Sequence, residues 1–505
     1  MIDMKKNNFK QNQHMAPISD AMEKYAGDGA LAFHTPGHKQ GLGAHFRLKR
    51  LITAEGLRQE VSLMEELDDL HDPQGCIKEA EALAAELWGA RETLFMINGT
   101  TGAIHAMLLG TLSPGDKVLV PRNAHRSVIG GLILAGAIPV YLHPEIIDSL
   151  GIAGPLSLDT VQQAVKENPG VRALVAVHPT YYGMAGDLLA IAEYLHSKNI
   201  LLLVDEAHGA HLKFAQQLPD MPKQALDLGA DVVAQSTHKV LGSLTQTSML
   251  HIDSERVSAA KIREAAALLQ STSPNQLLLA SLDIARLQMA EEGQKRLATA
   301  VELANWLRQE INMIQGLYCV GREIIGDDGI IALDPTKLTV NIAGIGLTGP
   351  QAELILRHKY KIQCELSDNN NLLFIISMAD TKVVCEKLLA ALRGLCGEQG
   401  STAERKLESQ GDLLSANKVI LSPRQAFFSE QESVEFSNSV GKVAGETVAF
   451  YPPGVPVLCP GELITRDLID SIKKQQSAGR RVVGPRDTTL KYISVIKNLE
   501  LGIRN

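Results

Sequence analysis

The chain has 505 residues, too many for one ordinary core, so two or three domains are expected. Its apolar share of 45% and charged share of 21% are those of a soluble globular protein, and aromatics at 4% are too scarce for a nucleic-acid stacking platform. A net charge of −8 without a basic stripe argues against nucleic acid or an anionic membrane as partner. The cysteines, Cys76, Cys319, Cys364, Cys385, Cys396 and Cys459, form no CxxC pair and suit neither a zinc site nor a disulfide framework. They fit free thiols in a reducing cytosol. The opening stretch MIDMKKNNFKQNQ has no apolar run behind its lysines, and no segment approaches the ~20 apolar residues of a membrane span. A cytoplasmic protein is expected.

In chain order, IKEAEALAAELWGA has helical spacing and good helix formers. TLFMI reads as a short apolar strand, NGTTGA as a turn, and IHAMLLGTL as the helix it opens. KVLV is the next strand and RSVIGGLILAGA the next helix; IPVYL, RALVAV, ILLLV, DVVAQ and SMLHI are further strands. Near-continuous apolar strands alternating with helices predict an α/β domain with a mainly parallel sheet covered on both faces. After about residue 275 the stretch LLLASLDIARLQMAEEGQKRLATAVELANWLRQEI reads as long helices. LTVNIAG, IQCEL and LLFIISM then suggest a smaller α+β unit to about residue 395. The polar segment GEQGSTAERKLESQGD reads as a linker before a last unit containing the turn-rich FYPPGVPVLCPGE.

In an open parallel sheet, ligands sit beyond the carboxyl ends of the strands. Several polar motifs fall there. NGTTGA exposes backbone N–H groups and hydroxyls at a helix start, where an anion can be held, although a plain strand–helix turn explains it equally. It is not a P-loop, because no GK[ST] follows. Asp205 directly follows ILLLV, a place that also suits a helix N-cap. His208 and His211 stand three apart and could face one way on a helix, but no third ligand completes a metal site. His125 follows KVLV, where a structural hydrogen bond is the alternative role. Lys239, in QSTHKVLGSLTQ, follows DVVAQ; a partly desolvated lysine has a lowered pKa and can form a Schiff base with an aldehyde. An anion cradle, a carboxylate, an imidazole and a lysine at strand ends are together what pyridoxal 5′-phosphate needs.

The motifs FHTPGHKQG, DDLHDPQGCI, NGTTGA, RNAHRS, PTYYG, DEAHGAH, STHKVLGSLTQTSMLH, STSP and YPPGVPVLCPGE run in one order along nearly the whole chain. Through them the chain resembles the bacterial ornithine/lysine/arginine decarboxylases. The resemblance implies the PLP-dependent transferase fold, fold type I, with a mainly parallel seven-stranded large domain and smaller α+β C-terminal domains. It divides the chain into an N-terminal arm (1–60), a cofactor-binding large domain (61–295), a small α+β domain (296–395), a linker (396–410) and a C-terminal decarboxylase domain (411–505). It also implies roles. Lys239 would bind the cofactor aldehyde and Asp205 its pyridine nitrogen, with His125 stacked on the ring and Ala207 beneath it. Thr100, Thr101, Ser236 and His238 would hold the phosphate; Thr272 and Ser273 would reach the phosphate of a partner subunit across a homodimer. His208 stands where some relatives have Trp, and Glu462 would be the carboxylate that recognises the substrate side chain.

The sequence departs from the family pattern in two places. The match begins almost at residue 16, without the receiver-like domain of acid-inducible relatives, so a dimer or tetramer is expected. Gln276 stands where an aromatic residue is expected at the edge of the substrate pocket. The shorter form is similar to biosynthetic arginine decarboxylases. The expected reaction is therefore α-decarboxylation of arginine to agmatine, serving polyamine synthesis, with lysine or ornithine as alternatives. An aminotransferase or aldolase would keep the cofactor and change the chemistry, but such enzymes grip the α-carboxylate with an arginine that cannot be assigned here. An inactive regulatory relative is the non-enzymatic alternative. In FHTPGHK, residues His34, His38 and Lys39 either pack an N-terminal arm or line the rim of the site.

Overall fold

A computed structural model describes residues 12–62, 64–219, 221–399, 405–409, 411, 417–451 and 454–497. Parts of the expected linker and of YPPGVPVLCPGE lie outside these residues. The main strands are β1 (Glu92–Met96), β2 (Lys117–Pro121), β3 (Ile138–Leu142), β4 (Val171–Val177), β5 (Leu201–Asp205), β6 (Val232–Gln235) and β7 (Ser248–Ile252). Each coincides with an apolar run of the sequence. By internal contacts the chain falls into two units: residues 1–111, 203–217 and 223–296 form one, and 112–202, 218–222 and 297–505 the other.

In the first unit β5 and β6 run parallel, with Asp205 level with Ala234. β7 turns back antiparallel to β6, and β1 pairs antiparallel with β7. Every residue of β5, β6 and β7 is buried, which is why these runs are mostly apolar rather than alternating, with Asp205, Gln235, Ser248 and His251 as their buried polar members. Two helices, Gly99–Thr111 and Ala259–Leu269, pack closely: a Cβ on Gly110 would sit 2.6 Å from the Ile262 Cα.

In the second unit β2 pairs parallel with both β3 and β4. The small α+β unit is an antiparallel sheet of Tyr318–Cys319, Lys337–Asn341, Asn371–Ile375 and Leu366–Ser367. It was expected to include IQCEL as a strand, but only Leu366 of that run pairs, continuing to Ser367. Leu307, Ile311, Val340, Leu372 and Leu392 fill its core. The expected long helices before it are one continuous helix, Gln276–Asn312. The C-terminal part pairs Gln431–Glu435 with Tyr492–Ile496 and sets Val448–Tyr451 between Val455–Leu458 and Arg481–Val483, around a core that includes Phe436, Phe450 and Ile469. Among the described residues no helix is long and apolar enough to cross a membrane.

Candidate active site

The first unit gathers most of the expected residues at the carboxyl ends of its parallel strands. Asp205 ends β5 fully buried, and its Oδ1 accepts the Ala207 backbone N–H at 3.1 Å. Burial raises the Asp205 pKa; the nearby Lys239 and the Ala207 N–H pull the other way. Lys239 lies in the single helical turn Thr237–Val240 that follows β6. Its Nζ is 2.9 Å from His208 Nε2. With the ammonium as donor, Nε2 accepts, so the ring proton sits on Nδ1. His208 and His211 lie in turns before a 3₁₀ segment, not on the helix that their spacing suggested.

Thr100 is buried in the first turn of the helix Gly99–Thr111, which Gly99 enters with φ +68°. Its Oγ1 meets Ser236 Oγ in a short contact and lies 3.0 Å from Ser248 Oγ, which in turn donates to the Gln235 carbonyl at 2.6 Å. Three hydroxyls from a helix start and two strand ends are thus held together, with Thr101 exposed beside them. His238 Nδ1 is 2.6 Å from the Thr247 carbonyl, so it is the donor there and Nε2 is the ring's remaining acceptor. Burial lowers the His238 pKa; the Thr247 contact raises it and Lys239 lowers it further. Thr272 and Ser273 sit exposed on the loop before the long helix, and Gln276 is fully buried at its start.

In the second unit β2 ends at Pro121, and the next residues are Arg122 and, three further on, His125. His125 caps the helix Arg126–Ala135: its Nδ1 accepts the Ser127 N–H at 3.2 Å and lies 2.8 Å from Ser127 Oγ. That leaves the ring proton on Nε2.

Glu462, expected to recognise the substrate side chain, is engaged by donors of the protein itself. It is almost wholly buried, and Oε1 accepts from Arg122 Nη1 at 2.6 Å. Oε2 accepts from Asn417 Nδ2 at 3.0 Å and from the Cys459 N–H at 2.8 Å. Both oxygens thus accept from protein donors. Burial raises the Glu462 pKa and Arg122 opposes it; burial would also lower Arg122, but the adjacent Glu462 carboxylate holds it up. The pair is read as charged on both sides.

The segment FHTPGHK is tied down locally. His38 Nε2 is 2.7 Å from Glu60 Oε2, Lys39 Nζ donates to the His34 carbonyl at 2.6 Å, and His34 Nε2 is 3.0 Å from Tyr25 Oη. These contacts are those of an arm packed on itself.

Known proteins identify the family. The model of the "Orn/Lys/Arg decarboxylase, major domain" matches residues 16–384, and that of its C-terminal domain matches 412–486. The chain belongs to the Orn/Lys/Arg decarboxylase family. Similar members include an arginine decarboxylase of Bacillus anthracis, 40% identical over 97% of this chain and 99% of that protein. A second, from Bacillus subtilis, is 39% identical over 96% and 99%. Lysine decarboxylase LdcA of Pseudomonas aeruginosa is more distant, at 26% over 93% of this chain and 77% of its own. Among solved structures, the Francisella novicida lysine decarboxylase LdcF superposes with a TM-score of 0.80 at 22% identity, over 95% of this chain and 81% of that one, which establishes the shared fold.

Orn/Lys/Arg decarboxylases use pyridoxal phosphate, and the residues of the first unit fit it. An amine 2.9 Å from an imidazole, a buried acid in its field and a hydroxyl set at the start of a 13-residue helix supply each kind of group the cofactor requires. Two members of these clusters had no sequence signal of their own: Ser248 lies inside an ordinary-looking strand, and Arg122 reads as a surface arginine after one. Only an arginine directly following an apolar strand could have flagged the latter.

Proposed function

We propose that this chain is an arginine decarboxylase that converts arginine to agmatine and CO₂, with pyridoxal phosphate as cofactor, in the cytoplasm and in the service of polyamine synthesis. The observation that carries this reading is near-full-length identity of about two residues in five to proteins named arginine decarboxylase, against about one in four for the lysine decarboxylases. The Lys239, Asp205 and Thr100–Ser236 cluster supports the use of pyridoxal phosphate.

When bound, pyridoxal phosphate supplies the electron sink for the bond to the departing carboxylate. The protein's part is to hold and orient. Lys239 would hold the cofactor through its aldehyde. Asp205 would hold the pyridine nitrogen, and its burial would make a charge partner there strongly favourable. Thr100, Thr101, Ser236 and His238 would hold the phosphate, with Ala207 and His125 as the residues that would hold the ring. Lys239 Nζ and His208 Nε2 lie 2.9 Å apart, so the two would hold a proton that could be delivered to the substrate.

We assign Thr272 and Ser273 to the phosphate of a second subunit in a homodimer. Their exposure supports this, as do the exposed apolar side chains Leu31, Phe33, Leu42, Phe46 and Leu51 of the arm, which a second copy would cover. The division into arm (1–60), large (61–295), small (296–395), linker (396–410) and C-terminal (411–505) segments is retained as part of this proposal.

The test is CO₂ release by purified, cofactor-supplied protein offered arginine, lysine and ornithine separately, with Lys239→Ala as control. Release from arginine far above the other two, lost in the control together with the cofactor's visible absorbance, is expected. Preference for lysine or ornithine would change the substrate, and full activity of the control would remove the mechanism.

A further inference from the structure

Arg122 does more than balance Glu462. Its Nη2 donates to the Val457 carbonyl at 3.1 Å, its Nη1 lies 3.7 Å from Cys459 Sγ, and its guanidinium stacks 4.7 Å from the centre of the Tyr141 ring. Asn417 joins the same two points, donating to the Val457 carbonyl at 3.1 Å as well as to Glu462. One buried arginine therefore grips residues 457–462 at three places. The amino end of that segment is also held: the Arg126 N–H donates to the Gly454 carbonyl at 3.1 Å. At Gly454 the backbone takes φ +90°, and a Cβ there would lie 3.2 Å from His125 Nε2. The segment 454–462 thus presses its glycine against the edge of the His125 ring, while the other edge is fixed by Ser127.

We infer that Arg122 and Glu462 are positioning residues, a buried clamp that seats the 454–462 strap on His125 and so sets the plane in which that imidazole stands. The clamp is built from two ends of sequence 340 residues apart, and its anchor is three residues from the ring it positions. Arginine suits the task because its planar fork makes several fixed bonds and it stays charged when buried. Glycine at 454 suits it because a left-handed backbone and a close approach to a ring edge both exclude a side chain. This inference rests on the reading above that His125 stacks on the cofactor ring.

The test compares Glu462→Gln, Arg122→Lys and Gly454→Ala with the parent holoenzyme by cofactor absorbance, its pH titration and cofactor affinity, alongside kcat and KM. The clamp predicts that all three variants shift the absorbance band and weaken cofactor affinity several-fold. It also predicts that kcat falls more than KM rises. Gly454→Ala leaves the ion pair untouched, so it decides the matter even if the buried-charge variants fail to fold. The inference is overturned if Glu462→Gln raises KM for the basic amino acid tenfold or more with the cofactor spectrum unchanged, since Glu462 would then be a substrate anchor. It is equally overturned if Gly454→Ala folds with parental spectrum and affinity. A His125→Ala control separates the two readings. If it leaves the cofactor spectrum unaltered, the stacking role fails; if it alters the spectrum while Gly454→Ala does not, only the clamp fails.

Discussion

Lys239 and Arg122 put a cation to opposite uses. Lys239 stands against an imidazole and near a buried acid, where its amine can be positioned to react. Arg122 is held by carboxylate, carbonyl and aromatic ring, and cannot be discharged. A third buried polar residue is wholly structural. His251 lies 2.8 Å from Thr93 Oγ1 and 3.1 Å from Gln235 Oε1 and stacks on Trp88. Burial drives its pKa down to about 3 from 6.5. The ring is therefore neutral in the fold and protonated in the unfolded chain between those values. The sign follows: stability is fully present above pH 6.5 and is lost as pH falls toward 3, by up to about 1.4 kcal/mol per pH unit from this residue. Thermal unfolding followed across that range should show a shallower acid limb in His251→Gln; an unchanged limb would mean that other groups govern it.

At the scale of elements, the contact between helices Gly99–Thr111 and Ala259–Leu269 backs the turn that carries Thr100. Gly110 costs its helix up to ~1 kcal/mol against alanine. An added Cβ would nonetheless lie 2.6 Å from Ile262 Cα, a backbone atom that moves only with its helix. Overpacking of this kind costs about 1–3 kcal/mol and outweighs the propensity gain. Gly110→Ala should therefore destabilise by about 1–2 kcal/mol in chemical denaturation. A stabilised variant would show that the two helices can separate freely.

At the scale of the whole molecule, the proposed homodimer makes a sharp prediction, because each phosphate would be held partly by Thr272 and Ser273 of the other copy. Lys239→Ala subunits and subunits carrying Thr272→Ala with Ser273→Ala are each expected to be impaired alone. Mixed and re-associated, they should regain activity, since one site in each hybrid has both an intact lysine and an intact loop. Activity no greater than the sum of the separate variants would make each site self-contained.

The strands, the family motifs and the lysine and acid at strand ends were legible in the sequence. A buried parallel strand must be apolar along its whole length, and chemistry must sit where such a strand stops; both leave local marks. The change from the apolar Leu201–Val204 to Asp205 at the end of β5, or from β6 to the turn that carries Lys239, is such a mark. What the sequence could not decide was how each polar residue spends its hydrogen bonds. Glu462 sits in a motif that suggests substrate recognition, yet both its oxygens are taken by donors, one of them 340 residues earlier in the chain. His208 and His211 have helical spacing but occupy turns, and one of them faces Lys239. Apolar patterning is periodic and local, so the sequence by itself determined the elements and the class of chemistry. Hydrogen-bond pairing of buried charges is non-local and depends on which side chains meet within about 3 Å, so only the tertiary structure decided it.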